Sequence, residues 1–277
     1  MVSVNTNNGA MVALQSLTLT NRQLSATQNA ISTGLKVASV KDNGAIWAIA
    51  NKMRSDVSAF DRVTESNQTA SAKVDVAISA GESIMELLNE MKGKALAASQ
   101  AGLSTSAQNA LNADFIQLRD QIGSITLNST FDGSNMTTGA AAINNAISLG
   151  DAAGTPANNI TVTGANIQLG GAIVTVAAAS DVTAANAAAT LTLVNNSINL
   201  LGTQLATWGA GSKRLDVHRQ FISKLQDALT SGVGAMVDAD LSKESARLQA
   251  LQVKQQLGIQ ALSIANGSAQ SALSLFR

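Results

Sequence analysis

The 277-residue chain has no cysteine, no tyrosine, one proline and one histidine, and its large aromatics are five Phe and two Trp. Without cysteine there can be no disulfide framework, no thiolate metal site and no cysteine nucleophile. His218 stands alone, so no His-x-x-x-His pair exists, and a histidine-centred metal or catalytic site lacks its other groups. Charge is scarce as well. Charged residues make up 13% of the chain, with 18 basic against 18 acidic side chains. A neutral chain has no electrostatic drive toward nucleic acid or an anionic membrane surface. No stretch approaches the ~18 uninterrupted apolar residues of a membrane span. Gly209-Ala-Gly-Ser-Lys213 lacks the spacing of a phosphate-binding loop and sits within a helical pattern rather than after a strand. No cofactor, metal or catalytic residue is expected. What the chain does have is 45% hydrophobic content, carried mainly by Ala, Leu, Ile and Val, a composition suited to close helix packing.

The charges are partitioned. Between Gly133 and Ser212 the only ones are Asp151 and Asp181, and the same stretch holds Pro156. On both sides lie apolar positions with an average step near 3.5, the spacing of coiled-coil seams. One line runs through Leu14, Leu17, Leu24, Ile31 and Leu35, with Asn21 and Gln28 as polar members. A second runs from Val63 through Val74, Ile84 and Met91 to Ala95, and a third through Leu111, Phe115, Leu118, Ile122 and Ile125. A fourth includes Val194, Leu201, Trp208, Leu215 and Ile222. If Ala45–Ser99 is one helix it extends roughly 80 Å at ~1.5 Å per residue. The last arm carries two lines, one with Leu248, Leu251 and Leu262, the other with Ala250, Val253, Leu257, Ala261 and Ile264. A helix apolar on two faces needs more than one neighbour. One face can be covered by the other end of the chain; the second calls for another copy. Both end seams are rich in Gln, Asn, Ser and Thr, which makes them weak in isolation. In the neutral stretch, Ile160–Thr163 and Ala172–Val176 alternate β-branched residues between glycines, predicting a small hairpin.

Both ends then resemble one family. Val4-Asn-Thr-Asn7, Ile31-Ser-Thr-Gly-Leu-Lys-Val37, Lys41-Asp-Asn-Gly-Ala45 and Ala48-Ile-Ala-Asn51 are similar to the bacterial flagellin N-terminus. Val237-Asp-Ala-Asp240, Gln249-Ala-Leu251, Gln255-Gln-Leu-Gly258, Gln260–Asn266 and Leu273-Ser-Leu-Phe-Arg277 are similar to its C-terminus, with details of the alphaproteobacterial type. The resemblance implies a mainly α fold, with the termini paired as a coiled coil, a long antiparallel helical rod and a small β-hairpin region. On that plan residues 1–42 and 236–277 form the inner-core coiled coil, 43–133 and 182–235 the outer-core helices, and 134–181 the hairpin region without large outer domains. It implies a structural subunit that polymerises into the flagellar filament and is secreted without a cleaved signal peptide. Its implied partners are further copies of itself, the flagellar export apparatus and a chaperone, and the hook-associated junction and cap proteins, with no nucleic acid and no membrane insertion. A junction protein of the same family and a secreted coiled-coil adhesin are the alternatives.

The residues expected to form the self-assembly interface are Leu14, Leu17, Leu24, Ile31, Leu35, Leu248, Leu251, Leu257, Leu262, Ile264, Leu273 and Phe276. Asp42-Asn43-Gly44 is a turn signal. Its family role is the elbow between inner and outer core, with Asp42 expected to cap the next helix. Trp47 is either a core filler or an inter-subunit wedge, and the second is favoured here because large aromatics are otherwise scarce and are favoured at contacts. By family analogy O-linked sugar falls on exposed hydroxyls of the hairpin region, with Thr137, Thr138, Thr161 and Thr163 as candidates. In many flagellins a Leu-Gln-Arg-Val-Arg-Glu-Leu stretch is contacted by the animal Toll-like receptor for flagellin. The matching run here is Leu88-Asn-Glu-Met-Lys-Gly-Lys94, where Glu90 replaces the first Arg, Lys92 the second, and Gly93 the Glu. Reversing a charge at a contact predicts weak or absent receptor activation.

Overall fold

A computed structural model describes residues 6–139, 142–146 and 159–274, without the side chains of 142–146 and 268–274. The described elements are, in chain order, α1 (Asn8–Thr33), α2 (Gly44–Ala98), α3 (Thr105–Asn128), β1 (Ala142–Ala146), β2 (Asn159–Thr163), α4 (Ala187–Val237) and α5 (Leu241–Ser274). The fold is mainly α, with one antiparallel two-stranded sheet. The 55 residues of α2 match the single long helix expected from the seam. Helix starts are capped by side chains: Asn7 accepts from the Ala10 amide at 3.0 Å and Ser104 from that of Ala107 at 3.2 Å. These bonds satisfy donors that would otherwise be orphaned at a helix start. Helix α1 ends on Gly34 at φ 72°, a left-handed cap that costs glycine little. The chain forms two compact units, residues 58–226 and residues 1–57 with 227–277.

In the middle unit (58–226) the seams of α2, α3 and α4 share one apolar core. Val74, Ile84, Leu88, Met91, Phe115, Ile122, Leu201, Trp208 and Leu215 are all fully or almost fully buried in it. Gly211 lies where an added Cβ would come within 2.8 Å of Val162, so a glycine at this point lets β2 lie directly on α4. The Trp208 indole donates to the Thr163 carbonyl at 2.9 Å and pins that strand.

The hairpin differs from expectation in its pairing. β2 pairs with β1, in register Asn144 to Thr161, and residues 172–176 form no strand. Val174 and Val176 are buried instead in the helical core, and the Thr175 amide donates to Ser197 Oγ on α4 at 2.9 Å. The alternation of residues 172–176 therefore records one face lying on a helix, not a strand ladder.

In the end unit α1 and α5 pair antiparallel: the Asn7 amide group donates to the Ala265 carbonyl at 2.8 Å, and Gln255 donates to Asn21 at 2.7 Å. Their connectors are also joined. The Lys36 amide donates to the Val237 carbonyl and the Ala239 amide to that of Gly34, both at 2.8 Å, around a bridge between Leu35 and Asp238. Beneath lies a small cluster of Val37, Ala50, Val233 and Val237.

Candidate assembly surface

Helix α1 gives one face to α5. Thr20 and Thr27 are buried, and Leu17, Leu24 and Ile31 are half-buried. The seam thus runs 17, 20, 24, 27, 31. Its polar members are Thr20 and Thr27 rather than Asn21 and Gln28, which are exposed. Threonine presents a methyl group to a thin seam and turns its hydroxyl to the helix backbone, as Thr20 does by donating to the Ser16 carbonyl at 2.9 Å. Leu14, on the discarded line, is 54% exposed. On α5 the matching face holds Leu248, Leu251, Gln255, Gly258, Leu262 and Ala265, all buried or half-buried. An added Cβ at Gly258 would come within 3.3 Å of the Leu17 side-chain end, so glycine there leaves room for Leu17 in the seam.

The second line of α5 is left uncovered among the described residues. Ala250, Val253, Leu257, Ala261 and Ile264 are all exposed, Leu257 to 58% and Ile264 to 74%. Met11, Val12, Leu14 and Leu19 are likewise more than half exposed on α1. Single exposed apolar residues need no explanation, but a continuous line of them along a helix marks a contact surface. Leu35 is half-buried on the connector cluster. The Leu273 side chain and all of Phe276 lie outside the described residues.

At the elbow the cap falls one residue later than expected. Asn43, not Asp42, caps α2: its side chain accepts from the Ile46 amide at 3.1 Å and its carbonyl from the Trp47 amide at 2.9 Å. The Asp42 carboxylate reaches backward, accepting from the amides of Ala38 (3.1 Å) and Ser39 (2.8 Å) and from the Ser39 hydroxyl (3.1 Å). These bonds, the Ser39 amide foremost, hold its carboxyl below the usual carboxylate range. Trp47 is half-buried and packs on the cluster of Val37, Ala50, Val233 and Val237. The core-filling place accounts for the buried part of its ring.

With this geometry in view, comparison with known proteins is decisive. Residues 4–142 match the bacterial flagellin N-terminal helical region and residues 191–276 the bacterial flagellin C-terminal helical region. The chain belongs to the bacterial flagellin family. It is 46% identical over 275 residues to flagellin FljO of Caulobacter vibrioides, covering 99% of this chain and 98% of that one. It is 39% identical over 284 residues to a flagellin of Brucella melitensis, covering both chains completely. A crystal structure of Bacillus cereus flagellin aligns with 57% of this chain and 88% of its own, at 21% identity and a TM-score of 0.48.

Other residues of interest in this flagellin lie in the middle unit. Glu90, Lys92 and Gly93 are exposed on α2, while Leu88 and Met91 of the same run are buried. Thr137 is fully buried, its hydroxyl lying 2.9 Å from the Thr126 carbonyl and 2.6 Å from Asn135 Oδ1, two acceptors for its one proton. It has no room for a sugar in the folded chain and is withdrawn as a candidate. Thr138 is half-buried, and Thr161 and Thr163 are exposed. His218 is half-buried with its ring 6.0 Å from that of Phe221. Among the described residues no group of three or more His, Cys, Asp or Glu is placed to hold a metal, and no helix is long and apolar enough to cross a membrane.

Proposed function

We propose that this flagellin is a structural subunit that polymerises into the extracellular flagellar filament, and that its mechanism is geometric. The carrying observation is the uncovered apolar line of α5, opposite the face already spent on α1. Burying Leu257 or Ile264 against a neighbour contributes about 1.5–3 kcal/mol per side chain. Repeated along a helix and through many copies, contacts of this size sustain a polymer. Residues 1–42 and 236–277 form the inner core of that assembly, Asp42–Gly44 its elbow, and Leu273 and Phe276 extend the α5 contact. The weak Thr- and Gln-bearing seam between α1 and α5 becomes fully ordered only when copies cover its outer faces.

Export proceeds without a cleaved signal peptide through the flagellar export apparatus, with a chaperone covering the exposed line beforehand. Junction and cap proteins bound the two ends of the polymer. Glu90 and Gly93 weaken contact with the Toll-like receptor for flagellin, and a normal receptor-reporter response to purified protein would contradict that. Thr138, Thr161 and Thr163 remain the hydroxyls for O-linked sugar.

Polymerisation of purified protein, seeded and unseeded, tests the function by electron microscopy. Full-length chain should form filaments, and chain trimmed by protease at both ends should not. Failure of the full-length chain even when seeded would count against the filament. Assembly of trimmed chain would contradict the role given to the ends.

A further inference from the structure

Two surface stripes of the middle unit carry charge that forms no ion pair among the described residues. On α2, Glu82, Glu86 and Glu90 stand at successive i, i+4 positions, all exposed. Like charges at that spacing weaken a helix. Among the described residues none of the three forms an ion pair, although Lys94 next along pairs with Asp114 at 2.6 Å. On α4, Lys213, Val217, Phe221 and Lys224 follow one another at i, i+4, i+8 and i+11, all exposed, with Arg214 beside them. Lys213, Arg214 and Lys224 likewise form no ion pair among the described residues. Val217 and Phe221 are 58% and 57% exposed and, with Lys213, Arg214, His218 and Ile160, line an open cleft of about 700 Å³.

The two stripes cannot meet within one chain. Gly81 lies against Leu205 and Asp75 against Ser212, which fixes the antiparallel alignment of α2 and α4 in this unit. Glu82 is therefore level with the region of Leu205, roughly 12 Å along the axis from Lys213 at ~1.5 Å per residue, and the two stripes run apart from there.

We propose that the cleft on α4 receives the α2 carboxylate stripe of a second copy. This inference rests on the filament reading and names a contact within it. Cations bracket the apolar pair Val217 and Phe221, and the carboxylates supply the opposite charge over a comparable length, about 12 Å for Glu82 to Glu90 and about 17 Å for Lys213 to Lys224. The patches are different surfaces of the same molecule, so the contact is heterologous. Each copy bound by its cleft still offers its own carboxylates, as an open-ended polymer requires. Exposed ion pairs are individually weak, but several in register set the orientation of a contact and penalise the wrong one.

The test is a charge swap read as the critical concentration for assembly, by sedimentation of full-length protein at low salt. E82K/E86K/E90K and K213E/R214E/K224E should each raise it by about tenfold or more, and the doubly swapped chain should return to within about threefold of wild type. Circular dichroism of each monomer checks that the helices persist, and raising the salt should shrink the differences. Single swaps without effect, or losses that simply add in the double swap, would overturn this contact while leaving the filament intact. A wild-type chain that never assembles would instead overturn the filament reading beneath it.

Discussion

The middle unit and the end unit are both built from heptad-spaced helices, yet they bury very different side chains. The largest fully buried residues among those described, including Trp208, Phe115, Met91 and Leu201, all lie between 58 and 226. The end unit buries Thr20, Thr27, Ala50, three valines and Leu251, and leaves Leu14, Leu257 and Ile264 outside. The same spacing thus yields a well-filled core in one place and an apolar line left exposed in the other. The difference is one of volume and sidedness, since buried apolar area sets how much a seam can contribute. On the filament reading, a seam too thin to satisfy itself suits a unit that is completed by other copies.

The largest expected effect tests the self-sufficiency of the middle. Trp208→Ala removes a fully buried ring and the hydrogen bond to Thr163, and should cost about 3–5 kcal/mol in urea unfolding of the monomer. Next comes the dependence of the ends on copies. Leu257→Asp with Ile264→Asp should leave monomer stability within about 0.5 kcal/mol, because both side chains are exposed there. The same pair should raise the critical concentration on the order of a hundredfold, which sedimentation would show. A monomer destabilised as much as the polymer would erase the contrast between the units.

Most of this contrast was legible beforehand. The seams from Val63 to Ala95 and from Val194 to Ile222 read directly as helices because most of their members are apolar and the spacing is unambiguous, even across the polar Asn67. The N-terminal register was harder: the lines 14-17-21-24-28-31 and 17-20-24-27-31 share Leu17, Leu24 and Ile31, and only packing decides that threonine methyls turn inward. The hairpin misled for a related reason. Ala142-Ile-Asn-Asn-Ala146 carries little β signal, while residues 172–176 carry much and are held by α4. At the elbow, Asp and Asn are both good caps, and the choice rests on which backbone amides each reaches.

Smaller effects sharpen the elbow. Asn43→Ala removes the α2 cap and should cost the end unit about 1 kcal/mol, seen in thermal unfolding. Asp42 should act through pH. Its carboxyl is depressed in the folded chain, so its contribution is present above the unfolded value of about 4 and is lost as pH falls through the lower folded value. The protection of the Ser39 amide, its exchange taken relative to the intrinsic rate at each pH, should therefore fall in acid, and Asp42→Asn should remove that acid dependence.

The most direct measurement is amide hydrogen exchange on monomer and on assembled protein, compared helix by helix. The expected result is strong protection of the middle-unit stretches of α2 and α4 in both states. The amides of α1 and α5 should be weakly protected in the monomer and gain protection on assembly. Equal protection of α1 and α5 with the middle unit in the free monomer, unchanged on assembly, would contradict the division between a self-sufficient middle and ends completed by other copies.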